Sequence, residues 1–266
     1  MSKLSGRSND YRMSHAKVGY GKLYSNFYSK GTYSYCIWQE EQKLLHKIFR
    51  DFDLYKKKNI LDFATGTGRI INFLVNNFPD AKIWGVDVSK EMLKYATKKF
   101  RANHSIKFLL GDLTTDGILQ RKLKKQEINI ITAFRFFTNA QESLRLEVLR
   151  SFKKISDNFY LVFNIHQRPL SFFFIYKMYR RVKSIITQNS ELNRFNLLSL
   201  SHIKKILEGE GYTLVKTYNV TWTIPAMFKF FPKNCNLLLK IVKLPLRNFI
   251  PSETIVVAEY KQKDVT

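Results

Sequence analysis

Acidic residues, cysteines and long apolar segments are all scarce in this sequence. Its 266 residues contain 21 Asp and Glu against 45 Lys and Arg, which gives a formal net charge of +24. Such an imbalance predicts an anionic partner, which could be a nucleic acid, an acidic membrane surface or an acidic substrate.

The absence of long apolar segments argues against a membrane-spanning helix and against a signal peptide. No apolar run approaches the roughly 20 residues that a membrane-spanning helix needs, and residues 1–21 contain no apolar stretch of signal-peptide length. We therefore expect a cytoplasmic protein, with peripheral contact to the inner face of a membrane as an option. The two cysteines, Cys36 and Cys235, fit no metal-ligand spacing. We expect them to be thiols in a reducing compartment, and we expect no metal.

What the sequence does contain is typical of one large α/β domain. Apolar residues make up 45% of it and aromatic residues 15%, which argues against disorder. From residue 59 onward strand-like and helix-like patterns alternate, and this predicts a mostly parallel sheet with helices on both faces. The predicted strands are 59–63, 82–86, 106–110, 128–134, 159–165, 212–218 and 254–260. The predicted helices are 36–50, 68–77, one that begins at Ser89, 141–155 and 200–209.

The most informative segment is LDFATGTGR, from Leu61 to Arg69. A strand pattern ends there, and two glycines precede a helical pattern. Gly66 and Gly68 let the backbone turn sharply and lie against a ligand. Asp87 ends the next strand, 19 residues after Gly68 (87 − 68), a spacing at which nucleotide-binding folds place a carboxylate on ribose hydroxyls. We therefore expect a cofactor that contains adenosine.

Two kinds of cofactor fit this pattern. A dinucleotide site favours a third glycine where this chain has Ile71, because helix and strand pack closely around the pyrophosphate. The other candidate, S-adenosylmethionine, has no phosphate to hold.

Three segments, 61–69, 85–93 and 110–113, resemble the class I S-adenosylmethionine-dependent methyltransferases of the small-molecule type. They occur in the order that the family has, each at the carboxyl end of a predicted strand, and the resemblance covers about residues 55–165. It implies a Rossmann-like, seven-stranded, mostly parallel sheet whose last strand is antiparallel. It also implies S-adenosyl-L-methionine as the cofactor and methyl transfer as the activity.

The resemblance implies roles for the residues of the first segment. Gly66 and Gly68 would form the loop under the methionine half of the cofactor, together with Ala64 and Thr67. Asp62 would hold the amino end, directly or through water.

It implies roles in the second and third segments as well. Asp87 would accept two hydrogen bonds from the ribose, because a carboxylate offers two acceptors to a pair of hydroxyl donors. Val88 and Met92 would sandwich the adenine, and Asp112 would meet its amino group beside the Leu113 backbone. The alternative for the two acids is an ordinary turn or helix-start role.

Three further residues are candidates at the ends of the fourth and fifth predicted strands. Phe134 would lie near the methionine part of the cofactor. His166 is the best candidate for a general base, and Arg135 could hold an anionic acceptor with its planar guanidinium. A strand-end histidine without a chemical task is an equal alternative for His166, and a surface or ion-pair role is an equal alternative for Arg135.

Two segments, 158–190 and 212–252, contain no acid but many basic and apolar residues. We expect the part that follows the fifth strand, and the part that joins the sixth strand to the seventh, to be lid insertions over the cofactor edge of the sheet. Apolar helices with lysine rims suit an anionic lipid surface or an amphiphilic substrate, and ordinary lid helices are the alternative. The chain then divides into an N-terminal helical cover (1–50), a cofactor-binding core (51–166), and lid insertions with the last strands (167–266).

The acceptor is the open question. Residues 133–139 read AFRFFTN and lack the Asn/Asp-Pro-Pro-aromatic motif of the family's nucleic-acid amino-methylating enzymes. The predicted function is therefore O- or C-methylation of a small or lipid-linked metabolite. An RNA methyltransferase with a basic groove is the alternative, and a non-catalytic cofactor-binding module is the third.

Overall fold

The computed structural model of the chain describes residues 11–13, 19–167, 171–186, 198–224, 237, 240–241 and 244–262. Seven strands in these residues form one sheet. They are β1 (Asn59–Phe63), β2 (Lys82–Asp87), β3 (Ile106–Leu110), β4 (Ile130–Ala133), β5 (Asn158–His166), β6 (Thr213–Thr221) and β7 (Glu253–Lys261). Their order across the sheet is β3-β2-β1-β4-β5-β7-β6.

Six strands of this sheet run in the same direction, and one, β7, runs against them. β3, β2, β1, β4 and β5 pair in parallel, whereas β7 is antiparallel to both β5 and β6. Because β7 is reversed, its first residue, Glu253, pairs with His166 at the carboxyl end of β5. This confirms the predicted Rossmann-like α/β fold with its antiparallel last strand.

Nine α-helices lie in the described residues. They are α1 (Tyr20–Asn26), α2 (Tyr33–Asp51), α3 (Arg69–Asn77), α4 (Lys90–Lys99), α5 (Gly117–Lys124), α6 (Glu142–Ile155), α7 (Phe172–Ile186), α8 (Leu200–Gly209) and the short α9 (Leu246–Phe249). One apolar core packs α2 and α3 on one face of the sheet, and a second packs α5, α6 and α8 on the other. The side chains of β1 alternate between the two cores.

Local capping explains where several helices begin. Ser89 accepts a hydrogen bond from the Met92 backbone and so caps α4, as the sequence predicts. Thr32 accepts one from the Tyr35 backbone, and α2 therefore begins three residues before the predicted start. The sequence analysis missed α1 and α5, which are only seven and eight residues long. Short helices carry too few apolar positions for a clear periodic pattern.

Cys36 corrects one expectation. It is fully buried and disulfide-bonded, so it is not a thiol. The other cysteine, Cys235, lies outside the described residues, as do parts of both predicted lid insertions (168–170, 187–197, 225–236, 238–239 and 242–243). Among the helices of the described part, none is long and apolar enough to span a membrane.

Candidate active site

A cavity opens at the carboxyl ends of β1, β2, β3 and β4, under the N-terminal segment of the chain. Ten of the predicted site residues line it: Asp62, Ala64, Gly66, Thr67, Asp87, Val88, Met92, Asp112, Phe134 and Arg135. Three do not, namely Gly68, Leu113 and His166. The structure therefore brings most of the predicted residues to one place.

The loop between β1 and α3 has an unusual backbone. Ala64, Gly66 and Gly68 all have positive φ values, of 53°, 58° and 76°, a region that glycine enters without steric cost. A Cβ on Gly68 would lie 2.6 Å from the ring of Phe100, so this glycine is needed for packing beneath the loop. A Cβ on Gly66 would lie 3.3 Å from the Met92 Cε atom, and Gly66 thus keeps the cavity floor open.

Asp62 is buried at the end of β1 and is held by two hydroxyl groups. Its Oδ2 accepts from Thr65 Oγ1 at 2.5 Å, and its Oδ1 accepts from Thr132 Oγ1 at 2.7 Å. Burial raises the pKa of Asp62 to about 7, although the two hydroxyls and the charge of Arg69 act in the opposite direction. Asp62 therefore changes its charge near neutral pH.

Asp87, at the end of β2, accepts two backbone hydrogen bonds. Its Oδ2 accepts from the Gly66 N–H at 2.7 Å, and its Oδ1 accepts from the Ser89 N–H at 2.8 Å. Burial raises the pKa of this carboxyl, and the backbone donors limit the rise. Each oxygen can accept a further hydrogen bond, so the carboxylate can still take two hydroxyl donors from a ligand.

Asp112 follows β3 and is engaged by the N-terminal segment. Its Oδ1 accepts from the Thr114 N–H at 2.9 Å, and its Oδ2 lies 2.6 Å from Arg12 Nε. Arg12 also reaches Glu147, 2.7 Å away. A ligand amino group directed at Asp112 would therefore compete with Arg12.

Leu113, beside Asp112, lies in the core, where its carbonyl accepts from Gln120 Nε2 at 2.7 Å.

Arg135 follows β4 with a φ of 65° and lies between two carboxylates. Its Nη1 is 2.8 Å from Glu253 Oε1, and its Nη2 is 3.1 Å from Glu41 Oε1. Its backbone N–H donates to Asn164 Oδ1 at 2.7 Å. Both ends of the guanidinium fork are thus taken by acids of the chain, so the arrangement does not leave them for bidentate contact with an acceptor.

The two carboxyls that hold Arg135 have opposite pKa shifts. Burial raises the pKa of Glu41 to about 7, against the lowering effect of Arg135 and Arg69. Burial also acts to raise the pKa of Glu253, but Arg135 and hydrogen bonds from Glu41 and Asn164 outweigh it, and the net shift is downward. Glu253 therefore ionises more readily than Glu41.

His166, at the end of β5, belongs to the same cluster. Its Nε2 lies 3.3 Å from Arg135 Nη1 and 3.8 Å from Glu253 Oε2. The histidine is thus placed behind Arg135, which lines the cavity while His166 does not.

Several residues that the sequence analysis did not select also line or support the cavity. Tyr11 and Tyr24 line it from the N-terminal cover, and burial together with the charge of Asp87 raises the pKa of Tyr11. Arg69 donates to Glu41 at 2.8 Å and lies over the rings of Trp38 and Tyr28. Arg69 ends the glycine motif, whereas no motif marks Tyr11 or Tyr24. The six tyrosines between residues 11 and 35 were a usable signal for the latter two.

The arrangement suits a neutral or positively charged organic ligand that carries hydroxyl and amino groups. Three carboxylates face it from three adjacent strands, and apolar side chains of Met92 and Phe134 complete the walls. No group of three or more potential metal ligands occurs in the described part of the chain.

Comparisons with known proteins agree with this geometry. Residues 60–156 match the family model of a methyltransferase domain. The malonyl-[acyl-carrier protein] O-methyltransferase of Halalkalibacterium halodurans is 25% identical over 178 residues, which are 64% of this chain and 63% of that protein. The demethylmenaquinone methyltransferase of Thermotoga maritima is 31% identical over 88 residues, 33% of this chain and 36% of that protein. The chain thus spans less than two thirds of either relative.

Solved structures share the fold at low identity. Magnesium protoporphyrin IX methyltransferase from Synechocystis PCC 6803, crystallised with bound SAH, superposes with a TM-score of 0.56 at 12% identity. The match covers 90% of this chain and 94% of that one.

Proposed function

The chain belongs to the class I S-adenosylmethionine-dependent methyltransferase family, and we propose that it transfers a methyl group from S-adenosylmethionine to a small-molecule acceptor. One observation carries the proposal. Asp62, Asp87 and Asp112 stand at the carboxyl ends of three adjacent parallel strands and line one cavity with the glycine loop. Ligands of open α/β sheets bind at this edge.

The residues present fit the cofactor. Asp87 retains acceptor capacity on both oxygens for the ribose hydroxyls, and Gly66 leaves room above the loop. Val88 and Met92 provide apolar walls for the adenine, and Asp112 provides an acceptor for its amino group. Asp62 would hold the methionine ammonium, because it is the carboxylate nearest to the loop in the chain and is fixed by two hydroxyls.

The chain contributes mainly position to the reaction. When bound, the cofactor supplies a methyl group on a positively charged sulfur, which is a good leaving group. Alignment of an acceptor atom with that methyl group accounts for most of the rate that a protein can add. In this proposal Phe134 borders the methyl group and Phe136 the acceptor, and both line the cavity.

We assign His166 and Arg135 to positioning rather than to proton transfer or acceptor binding. Arg135 is held on both sides by Glu41 and Glu253, and His166 lies behind it. The cluster fixes the end of β4, where the acceptor would lie.

Calorimetry with S-adenosylmethionine tests the cofactor site. We expect Asp87→Ala to weaken binding about ten- to a hundredfold, because each hydrogen bond to a charged group contributes about 1.5–3 kcal/mol. Asp80→Ala is the matched control, since Asp80 is exposed at the end of α3, and it should bind like the wild type. Equal affinity for the wild type and Asp87→Ala would refute the ribose assignment.

The acceptor class is tested with radiolabelled methyl donor. The panel contains a malonyl thioester and a reduced naphthoquinone, because relatives are named for such acceptors, together with total RNA and a lipid extract. Label in an organic small molecule supports the proposal. Label in RNA alone would overturn its acceptor class, and cofactor binding without any transfer would overturn the activity.

A further inference from the structure

Helix α7 has a continuous apolar face that the described part of the protein does not cover. Its exposed apolar residues are Ile175, Met178, Tyr179, Val182, Ile185 and Ile186, with exposed fractions between 40% and 76%. At 3.6 residues per turn these six positions fall within about a third of the helix circumference. Contiguous exposed apolar surface of this kind marks an interaction site.

The charge around this face has one sign. The helix carries Lys177, Arg180, Arg181 and Lys183, and the chain contains no acid from residue 158 to residue 190. By helical spacing Arg181 and Lys183 border the apolar face on its two sides, and both are exposed. An apolar stripe with basic borders is the pattern of helices that lie in the interface of an anionic membrane.

The half-buried Trp222 links the start of α7 to a segment with exposed apolar residues. Trp222 contacts the Phe172 ring, with ring centroids 5.7 Å apart, and donates from Nε1 to the Ile241 carbonyl at 2.8 Å. Leu244, Leu246 and Phe249 follow shortly after and are exposed, Phe249 to 82%. This group also belongs to a segment without acids, 212–252.

We propose that the exposed face of α7 docks on an anionic membrane surface. Charge complementarity selects this partner: the chain carries a net +24, and negative lipid headgroups attract basic segments near the bilayer. A second copy of the chain would instead bring two equally basic helices together. A nucleic acid would need several aromatic rings for base stacking, and Tyr179 is the one aromatic residue of this face.

Helix α7 follows the candidate active site after only a few residues of sequence. α7 begins at Phe172, and β5 ends at His166 on the cavity edge of the sheet. The docking itself does not depend on methyl transfer, so the two proposals are tested separately.

Vesicle sedimentation of the full chain tests the proposal. We expect the wild type to sediment with vesicles of phosphatidylcholine and phosphatidylglycerol, and far less with phosphatidylcholine alone. Val182→Glu combined with Ile186→Glu should weaken the partition at least about tenfold, because two inserted apolar side chains each lose on the order of a kcal/mol or more. Val182→Ser with Ile186→Ser, which adds no charge, should give a smaller loss.

The matched control carries the same change of charge elsewhere. Ile118→Glu with Val215→Glu alters two exposed apolar residues on α5 and β6, with exposed fractions of 72% and 39%. It should sediment almost like the wild type. Equal losses in both glutamate pairs would mean that only net charge matters, and would overturn the proposal.

Two other results would also overturn the proposal. One is a wild-type dimer that the α7 glutamate pair converts to a monomer, since a second copy would then cover the face. The other is RNA binding that only the α7 pair abolishes. Unchanged thermal unfolding of both pairs, expected for exposed sites, shows that the variants fold.

Discussion

At the scale of the residue, each carboxylate at the cavity is held by its own nearby donors. Asp62 accepts from two hydroxyls and Asp87 from two backbone N–H groups, whereas Asp112 accepts from Thr114 and forms an ion pair with Arg12. These partners differ in how easily a ligand could replace or join them. The differences lead to separate expectations for Asp62 and Asp112.

Cofactor affinity should depend on pH through Asp62. The pKa of this carboxyl is raised to about 7, so the folded protein holds a proton there below neutral pH. A cofactor ammonium needs the ionised form, and binding below pH 7 must therefore release that proton. Affinity measured by calorimetry should rise with pH by up to about tenfold per unit and level off above neutrality.

Two variants test whether this pH dependence comes from the ionisation of Asp62 or from that of another group. Asp62→Asn should bind more weakly at high pH and lose the dependence. Glu41→Gln removes the other carboxyl with a pKa of about 7, and it should keep the dependence because Glu41 does not line the cavity. A slope that survives in Asp62→Asn would contradict the assignment.

Arg12 should oppose cofactor binding. Its Nε lies 2.6 Å from Asp112, and the two side chains are about one quarter exposed. Partly exposed ion pairs contribute about 0.2–1 kcal/mol, so Arg12→Ala should tighten S-adenosylmethionine binding by up to roughly fivefold. Lys122→Ala, which removes a positive charge from the exposed side of α5, is the control and should change nothing. Weaker binding by Arg12→Ala would mean that Arg12 contacts the cofactor itself.

At the scale of the element, α2 is joined to the sheet by a buried charge as well as by apolar packing. Glu41 lies on the buried face of α2 and is fully buried, yet it reaches both Arg69 of α3 and Arg135 after β4. β7 contributes Glu253 to the same guanidinium. One arginine therefore links the cover helix, the parallel strands and the reversed strand.

Loss of Arg135 should destabilise the fold strongly. Arg135→Met keeps the aliphatic stem but leaves Glu253 buried without its arginine and Glu41 with Arg69 alone, and breaking a buried pair in this way costs about 3–5 kcal/mol. Urea unfolding measures this as a decrease in the free energy of unfolding. Arg150→Met is the control, because Arg150 is 60% exposed beside Glu210, and it should cost less than about 1 kcal/mol.

A double variant tests whether the loss of stability comes from the ion pair between Arg135 and Glu41. Arg135→Met with Glu41→Leu should cost less than the sum of the single changes, since each single change already breaks the Arg135–Glu41 ion pair. Strict additivity, or a small effect of Arg135→Met alone, would show that the ion pairs add little to stability.

At the scale of the whole molecule, the sequence predicted the parallel strands β1 to β5 and the cofactor loop better than the rest of the protein. The glycine loop, Asp62, Asp87 and Asp112 lie in short motifs at strand ends, so local patterns place them on one sheet edge. The reversal of β7 followed from the family resemblance and is confirmed by the register, whereas the order of the strands across the sheet was not predicted. The boundaries of β4 and β6 differ from prediction by one to three residues, because pairing and not periodicity decides where a strand ends.

The wall behind the cavity could not be predicted. Arg135 meets Glu41 across 94 residues and Glu253 across 118 residues of sequence, and no local pattern links these positions. The sequence analysis therefore gave an acceptor contact and an ion-pair role equal weight for Arg135, and the structure shows both ends of its fork in ion pairs. Long-range ion pairs depend on how the elements pack, and a single sequence does not report that packing.

The position of β7 in the sheet affects the order in which the protein can fold during its synthesis. During synthesis on the ribosome, β1 to β5 emerge first and can assemble around the cavity, with Arg135 and Glu41 already present. The guanidinium gains its second carboxylate only when β7, far along the chain, inserts between β5 and β6. An incomplete nascent chain therefore carries an excess positive charge beside its cavity, and the last strand to arrive neutralises it.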